Sequence, residues 1–538
     1  MCINFDATSY PYSSRRRVVF AKNGMVATSQ PLAAQAGLDI LRQGGNAVDA
    51  AIATAACLTV LEPVSNGLGS DAFALVWAGD KLYGLNGSGY APEKMNAAAL
   101  RELGVKEKIP ERGWLPVTVP GAPSAWACLH RRFGSLPFAR LLAPAIAYAR
   151  EGYPVSPLIS SLWEQELKVF SGYKNRPEFS GWFDAFSPGG RAPRCGEVVR
   201  LPEHAKTLEI LAATCCEAYY RGEIAEAIDS FSRLTGGLIR GEDLAGYQAE
   251  WVEPLSVSYR GCEVWELPPN GHGITVLMAL KILGQFEFTK KESVETYHRQ
   301  IEAMKLAFAD TLKYVADPRY MRVKVADMLS PAYAAKRKAL IADGALTPEA
   351  GRPFSGGTVY LCAADRYGTM VSFIQSNFKG FGSGVVVPGY GIALNDRGSG
   401  FTLDPASDNF LLPGKKPYHT IIPGFLTKGG RAVGPFGVMG AYMQPQGHVQ
   451  VIMNTLDFLL NPQAALDAPR WQWLEGKKVQ LEDTVPKEII EGLKAKGHEI
   501  EVMSDYSSFG RGQIIWRAKG GVLAGATEPR TDGAVAAW

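Results

Sequence analysis

Nowhere in this chain do two cysteines stand in CxxC spacing. The eight present (Cys2, Cys57, Cys128, Cys195, Cys215, Cys216, Cys262 and Cys362) are scattered. That pattern argues against a zinc site and a disulfide framework, and it leaves most of them as small core residues. A long hydrophobic run is also missing. The longest, Ala50 to Leu61, is broken by Thr54 and Thr59 and is too short to cross a bilayer of about 30 Å. The basic cluster Arg15 to Arg17 leads into only a few apolar residues before Lys22 and Asn23. It lacks the apolar core of a signal peptide, so the chain is expected to stay in the cytoplasm. Net charge is small: 56 Lys and Arg against 53 Asp and Glu leave +3 over 538 residues. With no basic tract, neither nucleic acid nor a membrane is expected as a partner. A P-loop and a G-x-S-x-G elbow are absent, and GFGSG is a poor dinucleotide fingerprint.

What is present is the composition of an ordinary folded chain, 46% hydrophobic and 20% charged, with too many residues for one typical core. In SQPLAAQAGLDILRQGGNAVDAAIATAACL, Ser29 before Pro31 opens a helix and Gly44-Gly45 closes it; a second helix begins at Asn46. Ala33, Ala36, Gly37, Ile40 and Leu41 form one apolar stripe. Val48, Ile52, Ala55, Ala56 and Thr59 form another, and their small residues predict a tight helical hairpin. Residues 90 to 290 read as mostly helical, with loops at NRPEFSGW and FSPGGRAPRCG. A long helix is predicted from Ser293 to about Val315, because Val294, Tyr297, Ile301, Met304, Phe308 and Leu312 recur at helical spacing.

Composition changes at residues 340 to 357, LIADGALTPEAGRPFSGG, a Gly- and Pro-rich stretch without periodicity that reads as an exposed linker. TVYLCAADRYGTMVSFIQSN follows as two strands joined around Tyr367-Gly368, and Thr358 opens the first. Further strands are predicted at GIALN, TIIPGFLT, RAVGPFG, GQIIWR and GVLAGAT. Helices at HVQVIMNTLDFLLN and VPKEIIEGLKAKG cover them, giving a layered α/β sandwich.

The chemistry gathers at the linker's end. Cleavage between Gly357 and Thr358 would give the threonine a free α-amine. Such an amine titrates near 8 (about 7.7 to 8.0 unperturbed), so it can take the hydroxyl proton at neutral pH. One residue would then be both nucleophile and base. Cys362 is no rival, because it lies inside the strand, where burial opposes a thiolate.

Three stretches, GMVATSQPLAAQAGLDILRQGGNAVDAAIATAACLTVLEP, GTVYLCAADRYGTMVSFIQSNFKGFGSGVVVPGYGIALND and EPRTDG, resemble the gamma-glutamyltranspeptidase family in order and spacing, and the likeness covers nearly the whole chain. The resemblance implies a fold that is α/β in content (α+β), the four-layer αββα sandwich of N-terminal-nucleophile hydrolases. It implies a proenzyme cut before Thr358 into a large subunit, 1–357, and a small subunit, 358–538. Ser376 falls where the family has a hydroxyl bonded to the nucleophile. GVMGA, residues 437 to 441, falls at the oxyanion loop, with the N–H groups of Gly440 and Ala441 as donors; Ala441 replaces a second glycine. Asn395 falls among the substrate contacts.

The likeness breaks at the pocket. Ser88 and Gly89, in NGSGYAP, stand where the family has an arginine for the substrate carboxylate. Gly400 stands near the acid that would meet the substrate ammonium, so an anionic anchor is expected to be gone. Arg397 adds a positive charge that would attract a carboxylate, and His419 and Thr420 replace two serines. His272, in PPNGHG, reads as a loop residue. These changes are similar to those of the transpeptidase-like amidohydrolases such as oxamate amidohydrolase, and the expected substrate is a small acidic amide. Two alternatives stay open: an authentic gamma-glutamyltransferase or glutathione hydrolase, and an unprocessed, non-catalytic homologue that binds a metabolite. No cofactor or metal is called for. The two subunits of one precursor are each other's partners, and assembly of such heterodimers into a homo-oligomer is left open.

Overall fold

The computed structural model describes residues 11–12, 16–348 and 357–538. Residues 349–356 of the expected linker, Arg15 of the basic cluster and Cys2 lie outside the described residues. Fourteen strands build two sheets. In chain order they are β1 (Val19–Ala21), β2 (Gly24–Thr28), β3 (Asp71–Ala78), β4 (Lys81–Gly87), β5 (Glu250–Val252), β6 (Leu255–Tyr259), β7 (Cys262–Glu266), β8 (Gly357–Asp365), β9 (Met370–Phe378), β10 (Gly424–Lys428), β11 (Arg431–Met439), β12 (Arg511–Arg517), β13 (Leu523–Thr527) and β14 (Ala534–Ala537). One sheet runs β14-β2-β8-β9-β3-β4-β5 and the other β1-β13-β12-β11-β10-β7-β6. Every pairing in both is antiparallel.

Side chains alternate across a strand, and the alternation sorts the core into layers. Val359, Leu361 and Ala363 of β8 face outward, into an apolar layer shared with the helices α1 (Pro31–Arg42) and α2 (Ala47–Leu61). Tyr360, Cys362 and Ala364 face inward and meet Phe425 and Ile515 of the second sheet. That sheet's outer face, with Val264, Leu426, Phe436 and Trp516, is covered by α3 (Gly273–Leu283), α4 (Val294–Tyr314) and α5 (Met443–Leu456). The result is the expected αββα sandwich. Among the described residues no helix is long and apolar enough to cross a membrane.

The helical hairpin forms as expected. A Cβ at Gly37 would lie 2.2 Å from Thr54 Oγ1, so only glycine permits this approach. Asn46 and Asp49 close a capping box on α2, and the Ala47 N–H donates to Asp365 Oδ2 at 2.9 Å, tying α2 to the end of β8. α1 is capped by Gln30, whose side chain accepts from Leu32 and Ala33, and not by Ser29. Other boundaries also differ. The segment 90–290, read as mostly helical, carries β5, β6 and β7. The strand expected in TIIPGFLT starts only at Gly424, and GIALN contributes just Ile392–Ala393.

Candidate active site

Thr358 lies near the start of β8, on the face between the sheets, and is 1% exposed. Its Oγ1 donates to Ser376 Oγ at 3.1 Å, and Ser376 Oγ also accepts the Phe378 N–H at 2.8 Å. Ser376 is thus polarised by a backbone donor while it accepts the threonine proton. The β8–β9 register slips between Gly357 and Val359, and Phe378, the partner of Gly357, has φ +83°. The ladder is therefore irregular at the bond the sequence marks for cleavage.

The oxyanion candidates reach the same end of the sandwich. A Cβ at Gly434 would stand 2.9 Å from Met370 Cε, and one at Gly437 2.5 Å from Tyr360 Cε2. Met370 pairs with Ala364 at the far end of β8, so β11 runs along β8 toward its start and delivers Gly440 beside Thr358. Gly440 (φ +136°) and Ala441 (φ +50°) turn the chain there. For Ala441 the left-handed conformation costs roughly 1–2 kcal/mol.

Arg397 is 2% exposed. Its guanidinium lies over the Phe378 ring, 4.7 Å from Cζ to centroid, and Nη1 donates to Thr420 Oγ1 at 2.8 Å. Nε stands 3.8 Å from Asp71 Oδ2, and neither Nε nor Nη2 has a hydrogen-bond partner among the described residues. Burial lowers its pKa to about 10, which leaves it charged at neutral pH. Asp71 pairs directly across from Ser376 in the β9–β3 ladder. It accepts from the Gly89 N–H at 3.2 Å and is bonded to His419 Nε2 at 2.8 Å. Burial pushes its carboxyl up to about 7 against the pull of Arg397.

The model of the family described as "Gamma-glutamyltranspeptidase" matches residues 33–538. The chain belongs to the gamma-glutamyltranspeptidase family. It is 35% identical over 529 residues to the glutathione hydrolase-like YwrD proenzyme of Bacillus subtilis, covering 96% of this chain and 98% of the relative. It is 34% identical over 530 residues to the oxamate amidohydrolase proenzyme of Klebsiella pneumoniae, covering 96% and 98%. A cephalosporin acylase from Bacillus halodurans superposes with a TM-score of 0.96 at 60% identity, covering 99% of each chain. The chain is accordingly an enzyme of the amide hydrolase and acyltransferase type, with the N-terminal-nucleophile sandwich.

The family's other expected contacts are distributed unevenly. Asn395 is saturated: Oδ1 accepts from the Thr118 N–H, Thr118 Oγ1 and the Arg397 N–H, and Nδ2 donates to the Gly69 and Thr118 carbonyls. It fastens the loop carrying Arg397. His419 is wholly buried; besides Asp71 it accepts from the Ile421 N–H at 3.4 Å. Burial holds its pKa well below the usual range, so it is neutral and engaged at both nitrogens. His272 is no exposed loop residue: it is buried before α3, edge-on to Tyr418 and Tyr442 at 5.8 and 6.0 Å. Nor is the site without an acid. Besides Asp71 it holds Asp396, fully buried, with Oδ1 accepting from the Lys379 N–H and Oδ2 unpartnered among the described residues; burial raises it to about 7. Sequence reasoning missed Asp71. A lone acid opening the apolar run DAFALVWA was the available signal.

Proposed function

We propose that the chain cuts itself between Gly357 and Thr358, and that the large (1–357) and small (358–538) subunits then hydrolyse amides whose acyl part ends in a carboxylate. The observation that carries the substrate class is Arg397: a buried guanidinium with two N–H groups lacking acceptors, packed over the residue that pairs with Gly357. An unpaired buried charge is costly, and a substrate carboxylate would relieve that cost with charge-assisted hydrogen bonds. Thr420 fixes the guanidinium, and Asp71 and His419 set its position from behind.

In the precursor, Thr358 Oγ attacks the Gly357 carbonyl and its proton passes toward Ser376. The C–N bond breaks as the ester forms, and water hydrolyses the ester to a Gly357 carboxylate and a free Thr358 α-amine. In turnover that amine takes the hydroxyl proton as Oγ attacks the substrate carbonyl. The N–H groups of Gly440 and Ala441 hold the oxyanion, and loss of one such donor typically costs about 3 to 4 kcal/mol of barrier. The amine leaves with the proton, and water or an acceptor amine resolves the acyl-enzyme ester. This mechanism uses neither metal nor cofactor.

A second reading rests on Asp396, whose unpartnered Oδ2 is chemically suited to an α-ammonium; with Arg397 it would make a gamma-glutamyl pocket. The test starts with intact mass of the wild type beside Thr358→Ala. Two fragments, the smaller beginning at Thr358 and absent from the variant, are expected. A single uncut chain would sink the nucleophile and favour a silent binding homologue. Processed enzyme is then given 4-nitroanilides of oxalic, succinic and glutaric acid beside gamma-glutamyl 4-nitroanilide. Release from the first group supports the carboxyacyl reading, and release from the last alone replaces it with the gamma-glutamyl one.

A further inference from the structure

A second buried arginine stands at the other side of the site. Arg511 pairs with Met439 in the β11–β12 ladder, one residue before Gly440, and is 6% exposed. Its Nε has no partner. Among the described residues the guanidinium joins no ion pair, because the neighbouring Glu528 is held by Arg470 and Arg530. It lines a cleft of about 240 Å³ whose wall also includes Gly440, Lys379, Arg112, Glu166 and Ser507. Three cations thus face one acid, and that acid is paired with Arg112 at 3.0 Å. Lys379 reaches only the exposed Glu111, at 3.5 Å.

The cleft touches the oxyanion candidate Gly440 but not Arg397. The two halves of an amide diverge from its carbonyl carbon. With the carbonyl oxygen at Gly440 and the acyl carboxylate at Arg397, the nitrogen side points into this cleft. We infer that the cleft is a leaving-amine subsite in which Arg511, with Lys379, binds an acidic group on the departing amine, so that the preferred substrates are carboxyacyl amides of amino acids or other carboxylated amines. The inference rests on the carboxyacyl reading for the direction of the substrate. A buried guanidinium beside the reacting carbonyl, with no carboxylate of its own, is the feature it explains.

The test is a matched pair with one acyl group: the 4-nitroanilide and the 3-carboxy-4-nitroanilide. Wild-type kcat/KM is expected to favour the carboxylated anilide by about tenfold or more, the range of one charge-assisted contact. Arg511→Met is expected to bring the ratio close to one, and Arg511→Lys to restore part of it. A wild-type ratio of one or less overturns the subsite while leaving the acyl reading intact. Failure of both anilides in processed enzyme counts against the acyl reading instead. The subsite is then judged by titrating 5-amino-2-nitrobenzoate and 4-nitroaniline into processed wild-type protein, where equal binding overturns it and a preference for the benzoate, lost in Arg511→Met, sustains it.

Discussion

Replacing Arg397 by methionine removes the charge and keeps most of the volume. Two guanidinium N–H groups, Nε and Nη2, are free of partners, and each charge-assisted hydrogen bond contributes about 1.5–3 kcal/mol. Two of them give about 3–6 kcal/mol, or roughly 10²- to 10⁴-fold in kcat/KM, since each 1.36 kcal/mol is tenfold. The fold should survive. Asp71 and Asp396, already pushed up to about 7 by burial, would titrate higher without the cation and stay protonated. The remaining losses are the contact with the Phe378 ring, about 0.5–2 kcal/mol, and one hydrogen bond to Thr420. The assay compares each carboxyacyl 4-nitroanilide with its methyl ester, and the readout is the ratio of their kcat/KM values. Wild type should prefer the free acid and Arg397→Met should not. Intact mass verifies that both proteins are processed. A variant that keeps the wild-type preference within twofold would refute the role of Arg397 and, with it, the reason for expecting an acidic acyl group.

Ser376→Ala removes the acceptor of the Thr358 hydroxyl and orphans the Phe378 N–H. Processing should slow by about 10²-fold or more, as for loss of a positioned proton acceptor, and Ser376→Thr should restore it; unchanged fragment formation over a time course of intact masses would count against the hydroxyl relay. The pH dependence should split between KM and kcat. Asp71, facing Arg397 and Lys416, and Asp396, facing Arg112, Arg397 and Lys379, titrate near 7. As pH rises through 7 they ionise and compete for Arg397, so KM for a carboxyacyl anilide should rise, while kcat grows toward pH 8 with deprotonation of the Thr358 amine. Because both folded-state values lie above the unfolded ones, their stabilising contribution is complete below about pH 4 and lost as pH rises through about 7. The melting temperature of the uncut Thr358→Ala chain should therefore be lower at pH 8 than at pH 5.5, with a smaller drop in Asp71→Asn.

Local signals were legible where local physics decides. The Asn46 cap, the run from Val294 to Tyr314 and the hairpin of β8 and β9 follow from caps, periodicity and turn residues within a few positions. β5, β6 and β7 were not legible. They are short, partly exposed and held by ladders to strands far away in the chain, β5 to β4 and β7 to β10, and no window of sequence contains that partner. The site divides along the same line. Thr358, Ser376 and the Gly440 turn lie on or beside the strands that carry the family likeness. Asp71 arrives through the β9–β3 ladder, and Arg511 through the β11–β12 ladder. His419 looked like a substrate contact because its neighbour Thr420 was one. Only the fold shows that successive residues face opposite ways, Thr420 toward Arg397 and His419 toward Asp71.

The loss at positions 88 and 89 and the gain at 397 belong to one rearrangement. No side chain can leave position 89, since a Cβ there would lie 1.6 Å from the Val119 carbonyl oxygen. The Ser88 hydroxyl is turned away to Asn86, 2.7 Å distant. With no side chain at 89, the backbone comes close enough for the Gly89 N–H to bind Asp71, and Asp71 in turn faces Arg397. An arginine at 89 would push the backbone off that acid and set a second guanidinium in a pocket whose buried acids already balance the first. Restoring the family's arginine in an Arg397-containing chain should therefore fail to recreate a gamma-glutamyl site, because the pocket is built to hold its cation on the opposite wall, where the loop fastened by Asn395 delivers it.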